Sequence, residues 1–147
     1  MKRKEFIKKC CFATAGVVIG SSLLESCSPV HYANGILKND TLVIVDFKEF
    51  EEDKKGKVVI RDFIIVQVDS LRTPIYLSKI EENKFTALLM ECTHQACEVN
   101  ATGASFSCPC HGSEFDKKGN VLQGPAKSPL KEYKTEFEDQ HVKIYLS

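Results

Sequence analysis

Two segments, "ECTHQACEVN" and "CPCHGSEFD", place four cysteines and two histidines between Cys92 and His111. Thiolates and imidazoles are soft or borderline metal ligands. They come here as two pairs, Cys92-x-His94 and Cys108-x-x-His111, enough to hold a metal centre. Cys97 and Cys110 stand a few residues from those pairs. Three chemistries compete for the set. A framework of two disulfides among the four cysteines is open to an exported protein, but it leaves both histidines without a task. A structural zinc ion takes two cysteines and two histidines in a tetrahedron, although zinc fingers usually space their ligands more widely than Cys92 and His94. An iron–sulfur cluster in which two histidines replace two cysteines on one iron uses all six residues and both segments.

Taken together, "CTHQAC" and "CPCHGS" resemble the two boxes of the Rieske family, C-T-H-x-G-C and C-P-C-H-G-S, which bind a 2Fe–2S cluster. The resemblance continues through "FDKKGNVLQGPAKSPL" and covers roughly residues 85–146. It implies Cys92 and Cys108 as thiolate ligands of one iron, and His94 and His111 as imidazole ligands of the other. It also implies a Cys97–Cys110 disulfide clamping the two loops. Ser113 is expected to hydrogen-bond a cluster sulfide, and Pro125 to lie in the loop covering the third side. Gly112 and Gly124 are expected to allow close backbone approach. Two thiolates and two neutral imidazoles leave an oxidised centre neutral, whereas four thiolates leave a dianion. The mixed set therefore takes up an electron more readily.

Three departures from the family pattern bear on that chemistry. Ala96 stands where the first box has glycine. Gln95 occupies a position where quinol-oxidising members carry an apolar residue shielding the cluster. Phe115 replaces a tyrosine whose hydroxyl bonds a ligand sulfur, and losing that donor implies an intermediate reduction potential.

The elements around these residues read as strands. "TLVIVDF" and "KVVIRDFIIVQV" are rich in β-branched residues, with "KEFEEDKKG" between them as a solvated turn. "PIYLSKI" and "KFTALLMEC" flank "EENK" as a hairpin, and "LKEYKTEFEDQHVKIYL" gives a second hairpin turning at "EDQH". Tyr133 and Phe137 are expected in the core, and His31 and His141 in solvent. No helix of three turns is predicted beyond Gly35. The segments "TGAS", "PCHGS", "KKGN" and "QGPAKSP" are dense in turn formers. The pattern is all-β, and the resemblance implies a Rieske-type antiparallel β-sandwich over residues 38–147, with an inserted cluster-binding subdomain at about 90–127.

Charge and hydropathy divide the N-terminus sharply. Lys2, Arg3, Lys4, Lys8 and Lys9 precede an uncharged run from Cys10 to Leu24, which is shorter than the roughly 20 residues a membrane-spanning helix needs. This pattern reads as an export signal over residues 1–26. "RKEFIKK" resembles a twin-arginine motif, and "LESC" resembles a lipobox with Cys27 as the lipidated residue. Residues 27–37 are then a tether, and the protein an exported, membrane-anchored lipoprotein facing the periplasm. Retention of the segment as a short anchor and simple secretion are the alternatives. Of 20 basic and 20 acidic side chains, 15 and 18 follow Cys27, a balance that gives no reason to expect nucleic-acid binding.

The resemblance implies one-electron transfer with a redox partner protein, a cytochrome or an oxidoreductase subunit. Three settings are open: a lipoprotein carrier, the small subunit of a periplasmic oxidoreductase resembling the Rieske partner of arsenite oxidase, and the Rieske subunit of a quinol-oxidising cytochrome complex. Ferredoxins of ring-hydroxylating dioxygenases lack the extra cysteine pair. A zinc-stabilised binding module is the alternative of another class.

Overall fold

The computed structural model describes residues 29–147. The expected export signal, with Cys10 and Cys11, and the lipidation site Cys27 lie outside the described residues. Among the described residues no helix is long and apolar enough to cross a membrane.

The strands are β1 (Tyr32–Asn34), β2 (Ile36–Lys38), β3 (Leu42–Asp46), β4 (Glu51–Asp53), β5 (Val58–Ile60), β6 (Phe63–Gln67) and β7 (Ile75–Glu81). They continue as β8 (Lys84–Leu89), β9 (Asn100–Ala101), β10 (Ser105–Ser107), β11 (Glu114–Asp116), β12 (Val121–Gln123), β13 (Glu132–Glu138) and β14 (His141–Tyr145). Eight of them form one sheet in the order β1-β6-β7-β8-β13-β14-β3-β2. A four-stranded sheet, β12-β11-β10-β9, is inserted in sequence between β8 and β13, which are neighbours in the large sheet.

The expected sandwich takes the form of a curled, barrel-like sheet. Its two edge strands, β1 and β2, are consecutive in the chain and joined at Gly35. A Cβ on Gly35 would stand 2.6 Å from a Val43 methyl and 2.9 Å from one of Val66, so only glycine lets the chain cross there. The pairing is antiparallel except for β1 on β6. The order in residues 32–38 corrects the expected tether: Ala33 is buried in the core and the flanking residues are strand-paired.

The run from 57 to 68 breaks at Arg61 and Asp62 into β5 and β6. The charged segment before it holds a 3-10 turn, Phe47–Phe50, whose two phenylalanines pack against Phe85 and Phe137. His31, expected in solvent, bonds Glu49 at 2.6 Å and is half-buried.

Continuous apolar runs mark the strands that serve two cores. Alternate side chains leave a strand on opposite faces. Ile64 and Val66 of β6, Ile75 and Leu77 of β7, and Ala87 of β8 fill the main core. Their neighbours Ile65, Tyr76 and Leu88 point the other way, into a second core with Cys92, Phe106, Cys108 and Phe115. The large sheet is therefore the floor on which the cysteine–histidine loops sit.

Candidate metal centre

Each loop is closed by its own backbone before it meets the other. After β8, the Met90 N–H donates to the Pro74 carbonyl at 2.9 Å and the Val99 N–H returns to the Met90 carbonyl at 3.0 Å. Inside that base the Cys92 N–H donates to the Cys97 carbonyl at 2.7 Å, and the Ala96 N–H to the Cys92 carbonyl at 2.8 Å. This tight return holds Ala96 at φ +56°, in the left-handed region. Between β10 and β11 the Cys108 N–H donates to the Ser113 carbonyl at 2.8 Å, and the Gly112 N–H to the Cys108 carbonyl at 3.0 Å. Gly112 has φ +75° with no protein atom near its missing Cβ, so backbone conformation, and not close approach, calls for glycine. At Gly124 the missing Cβ would make only ordinary contacts.

A disulfide between Cys97 and Cys110 joins the two loops, with their Cα atoms 6.6 Å apart. The end of β12 and the segment after it are bonded to both. The Ala126 N–H donates to the Ser113 hydroxyl oxygen at 2.9 Å, and the Gln123 side-chain amide to the Gly112 carbonyl at 3.2 Å. The Thr93 hydroxyl donates to the Ser128 carbonyl at 2.6 Å. Sequence reasoning missed Thr93, Gln123 and Ser128, because the Thr93 and Gln123 side chains donate to backbone carbonyls, those of Ser128 and Gly112, that only the fold brings near.

Chemistry divides cleanly between inside and outside. Cys92 and Cys108 are free thiols, 2% and 3% exposed, with their side chains in hydrogen-bond contact. Burial alone would push the Cys108 thiol up. Hydrogen bonds from the Cys110 N–H, the Cys92 side chain and the His111 N–H together outweigh it and hold the thiol below its ordinary value. His94 and His111 are exposed, their rings 4.9 Å apart and perpendicular. Ser113 is wholly buried behind the second loop. Phe115 is wholly buried on β11, paired with Phe106 across the small sheet. Gln95 and Pro125 are exposed.

This donor set suits a binuclear centre better than a single ion. One tetrahedral zinc needs four donors within a little over 2 Å of one point. Among the described residues the group whose ligand atoms come within 4.8 Å of one another is Cys97, Cys108 and Cys110. Two of those sulfurs are spent on the disulfide. Cys92 and Cys108 instead form one pair and His94 and His111 another, the arrangement that divides thiolates and imidazoles between two metals. The backbone N–H groups aimed at Cys108 suit a sulfur that keeps its negative charge.

Comparison with known proteins agrees with this chemistry. The profile of the Rieske 2Fe-2S domain matches residues 43–134. The cytochrome b6-f complex iron-sulfur subunit 2 of Trichormus variabilis is 32% identical over 105 residues, covering 63% of this chain and 59% of that protein. The mitochondrial Rieske subunit of the cytochrome b-c1 complex of Mus musculus is 34% identical over 83 residues, 54% of this chain and 30% of that one. Among solved structures, the plasma membrane Rieske protein PetC3 of Synechocystis PCC 6803 aligns with TM-score 0.47 and 29% identity, over 56% of this chain and 85% of that one. The chain thus matches less than two thirds of the length of these two curated relatives.

Proposed function

We propose, from the premise that the chain belongs to the Rieske 2Fe-2S domain family, that it passes single electrons between partner proteins on the outer side of a bacterial membrane. The 2Fe–2S cluster supplies a one-electron redox centre; the protein's own residues do the rest. In this reading Cys92 and Cys108 hold one iron from within the apolar second core, and His94 and His111 hold the other at the surface. The observation that carries the proposal is this polarity, buried thiols inward and two imidazole edges in solvent. An electron enters and leaves where the low-dielectric wall is thinnest, so the histidine edges are the docking point for a partner. The Cys97–Cys110 clamp ties the two ligand loops together and suits an oxidising compartment.

The charged start and short apolar run upstream of Cys27 support export and a lipid anchor at that residue. The chain then acts as a lipoprotein carrier or as the small subunit of a periplasmic oxidoreductase. Gln95, polar and exposed beside His94, and Phe115 both favour these settings over quinol oxidation. A second reading, a Rieske subunit of a quinol-oxidising complex, draws on the relatives from b6-f and b-c1 complexes.

The deciding measurement is an electron paramagnetic resonance spectrum of the dithionite-reduced protein. A low-average-g signal of mixed histidine and cysteine ligation is expected. A silent, zinc-containing sample would remove the electron-transfer reading. Copurification from native membranes separates a free carrier from a complex subunit, and intact mass reports lipidation at Cys27.

A further inference from the structure

The β4–β5 hairpin belongs to neither core. It is a two-stranded sheet of its own, tied down at its base, where the Arg61 N–H donates to the Phe50 carbonyl at 2.8 Å. All three side chains of β5, Val58, Val59 and Ile60, are exposed, although they leave the strand on alternate faces. With Val30 they make up four of the eight large apolar side chains that the described residues expose. Val30, Val59 and Ile60 line one cleft of about 330 Å³ together with Pro29, and Val58 stands next to them toward the turn. Apolar exposure gathered in one place marks a contact surface, as single scattered residues do not.

The turn at the end of the hairpin is tight and basic. The Lys54 N–H donates to the Lys57 carbonyl at 2.8 Å, and the Lys57 N–H to the Lys54 carbonyl at 3.3 Å. Lys55, at φ +58°, holds a left-handed position where asparagine or aspartate is the usual residue. Three exposed lysines, Lys54, Lys55 and Lys57, therefore stand at the tip, while Glu51, Glu52 and Asp53 stay back on β4. Two of those acids are engaged within the hairpin. Glu52 pairs with Lys54 at 3.3 Å, and Asp53 accepts the Gly56 N–H at 2.7 Å. Lysines beside exposed apolar side chains suit a surface that meets anionic headgroups and the acyl boundary beneath them.

The start of the chain says what covers this surface. Cys27 lies two residues before Pro29, and two residues span at most about 7 Å. A lipid on Cys27 brings the bilayer to the cleft that Pro29 lines. The first ligand loop leaves from the opposite end of the strands. β6 begins at Phe63, just after the hairpin, and Tyr32 of β1 enters beside Ile65. At the far end of β6, Val66 pairs with Ile75 and Ile75 with Leu89, and the first ligand loop starts at the next residue.

We propose, on the reading of Cys27 as the lipid anchor, that the β4–β5 hairpin and Val30 rest on the membrane surface. Lys54, Lys55 and Lys57 meet anionic headgroups, and Val30, Val58, Val59 and Ile60 meet the acyl boundary. The domain then has a fixed lipid-facing end. His94 and His111 are held away from that end, open to a partner in solution.

The chain contains no tryptophan, so a single introduced one reports alone. Val58→Trp, at a position 65% exposed, puts it on the hairpin. Leu122→Trp, at a position 62% exposed on β12, puts it beside Gln123, whose amide bonds the second ligand loop. The mature, cluster-loaded proteins are reconstituted on vesicles of phosphatidylcholine with a minority of phosphatidylglycerol, with and without bromine on the acyl chains. Emission from Val58→Trp should move to shorter wavelength and be quenched by bromine; emission from Leu122→Trp should show neither change. Replacing the phosphatidylglycerol by phosphatidylcholine should lessen the quenching, and undiminished quenching would overturn the role given to the lysines. Vesicle flotation and intact mass report the anchor independently. Lipidated protein that floats with Val58→Trp unquenched, or with both positions quenched alike, overturns the docking and leaves the anchor standing. Protein that neither floats nor carries a lipid mass at Cys27 overturns the anchor and the docking together.

Discussion

The Ser113 hydroxyl oxygen accepts the Ala126 N–H at 2.9 Å in a fully buried setting, fastening the loop after β12 to the second cysteine–histidine loop. A hydroxyl accepts and donates at once, so its hydrogen remains free for a neighbouring sulfur. Ser113→Ala removes both roles. The buried Ala126 N–H is then left without its partner, at a cost of about 1–3 kcal/mol. The melting temperature should fall by roughly 2–4 °C for each kcal/mol. The reduction potential should fall as well, because the lost donor stabilises the more negative reduced state. Thermal unfolding and a redox titration measure the two effects separately. A lowered melting point with an unmoved potential would reduce Ser113 to a loop fastener.

Phe115 lies wholly buried opposite Phe106, where the family pattern offers a tyrosine hydroxyl to a ligand sulfur. Phe115→Tyr restores that donor. A gain of about 1 kcal/mol in the reduced state corresponds to roughly 40 mV upward. The wild-type potential should accordingly lie below that of the quinol-oxidising members. A wild-type value as high as theirs would contradict this account of Phe115.

Ala96 sits at φ +56° immediately before the clamped Cys97. The left-handed region costs a non-glycine residue about 1–2 kcal/mol, and glycine returns roughly 0.4–1 kcal/mol of that through a freer unfolded chain. Ala96→Gly should therefore stabilise the protein by up to about 1 kcal/mol, a rise of roughly 2–4 °C in melting temperature. If the variant melts lower than wild type, the loop does not carry this strain.

How much of this was legible beforehand depended on whether the signal was local. The spacing of cysteines and histidines is a local pattern, and so is the hairpin turn at Asp139 and Gln140, which folds where it was expected. Tyr133 and Phe137 join the main core as expected. Residues 32–38 misled because three-residue strands carry too little periodicity, and their partners lie thirty or more residues away on β6 or just beyond a turn on β3. The apolar run at 57–68 hid a break because β-branched residues continue on both sides of Arg61 and Asp62, with no Gly or Pro to mark the interruption. Loop fasteners such as Thr93 and Ser128, 35 positions apart, have no sequence signature at all.

Asp116 organises the turn that closes β11 onto β12, and its carboxylate should make that turn acid-sensitive. One oxygen accepts the Lys118 and Asn120 N–H groups at 2.8 and 2.9 Å, and the other accepts the Asn120 side-chain amide at 3.0 Å. The Asn120 side chain is the largest influence holding the carboxyl below its usual range, against some burial and with help from the two N–H groups and the Lys118 charge. A carboxyl depressed in the folded state contributes stability that is present above its unfolded value, about 3.9, and is lost as pH falls through the folded value. In Asp116→Asn an amide nitrogen would face the Asn120 amide, donor against donor, and the expected loss at neutral pH is about 1 kcal/mol. The gap in melting temperature between wild type and variant should be widest near pH 7 and narrow below about pH 4. A gap that stays constant down to pH 2 would mean that the bonds, and not the charge, stabilise the turn.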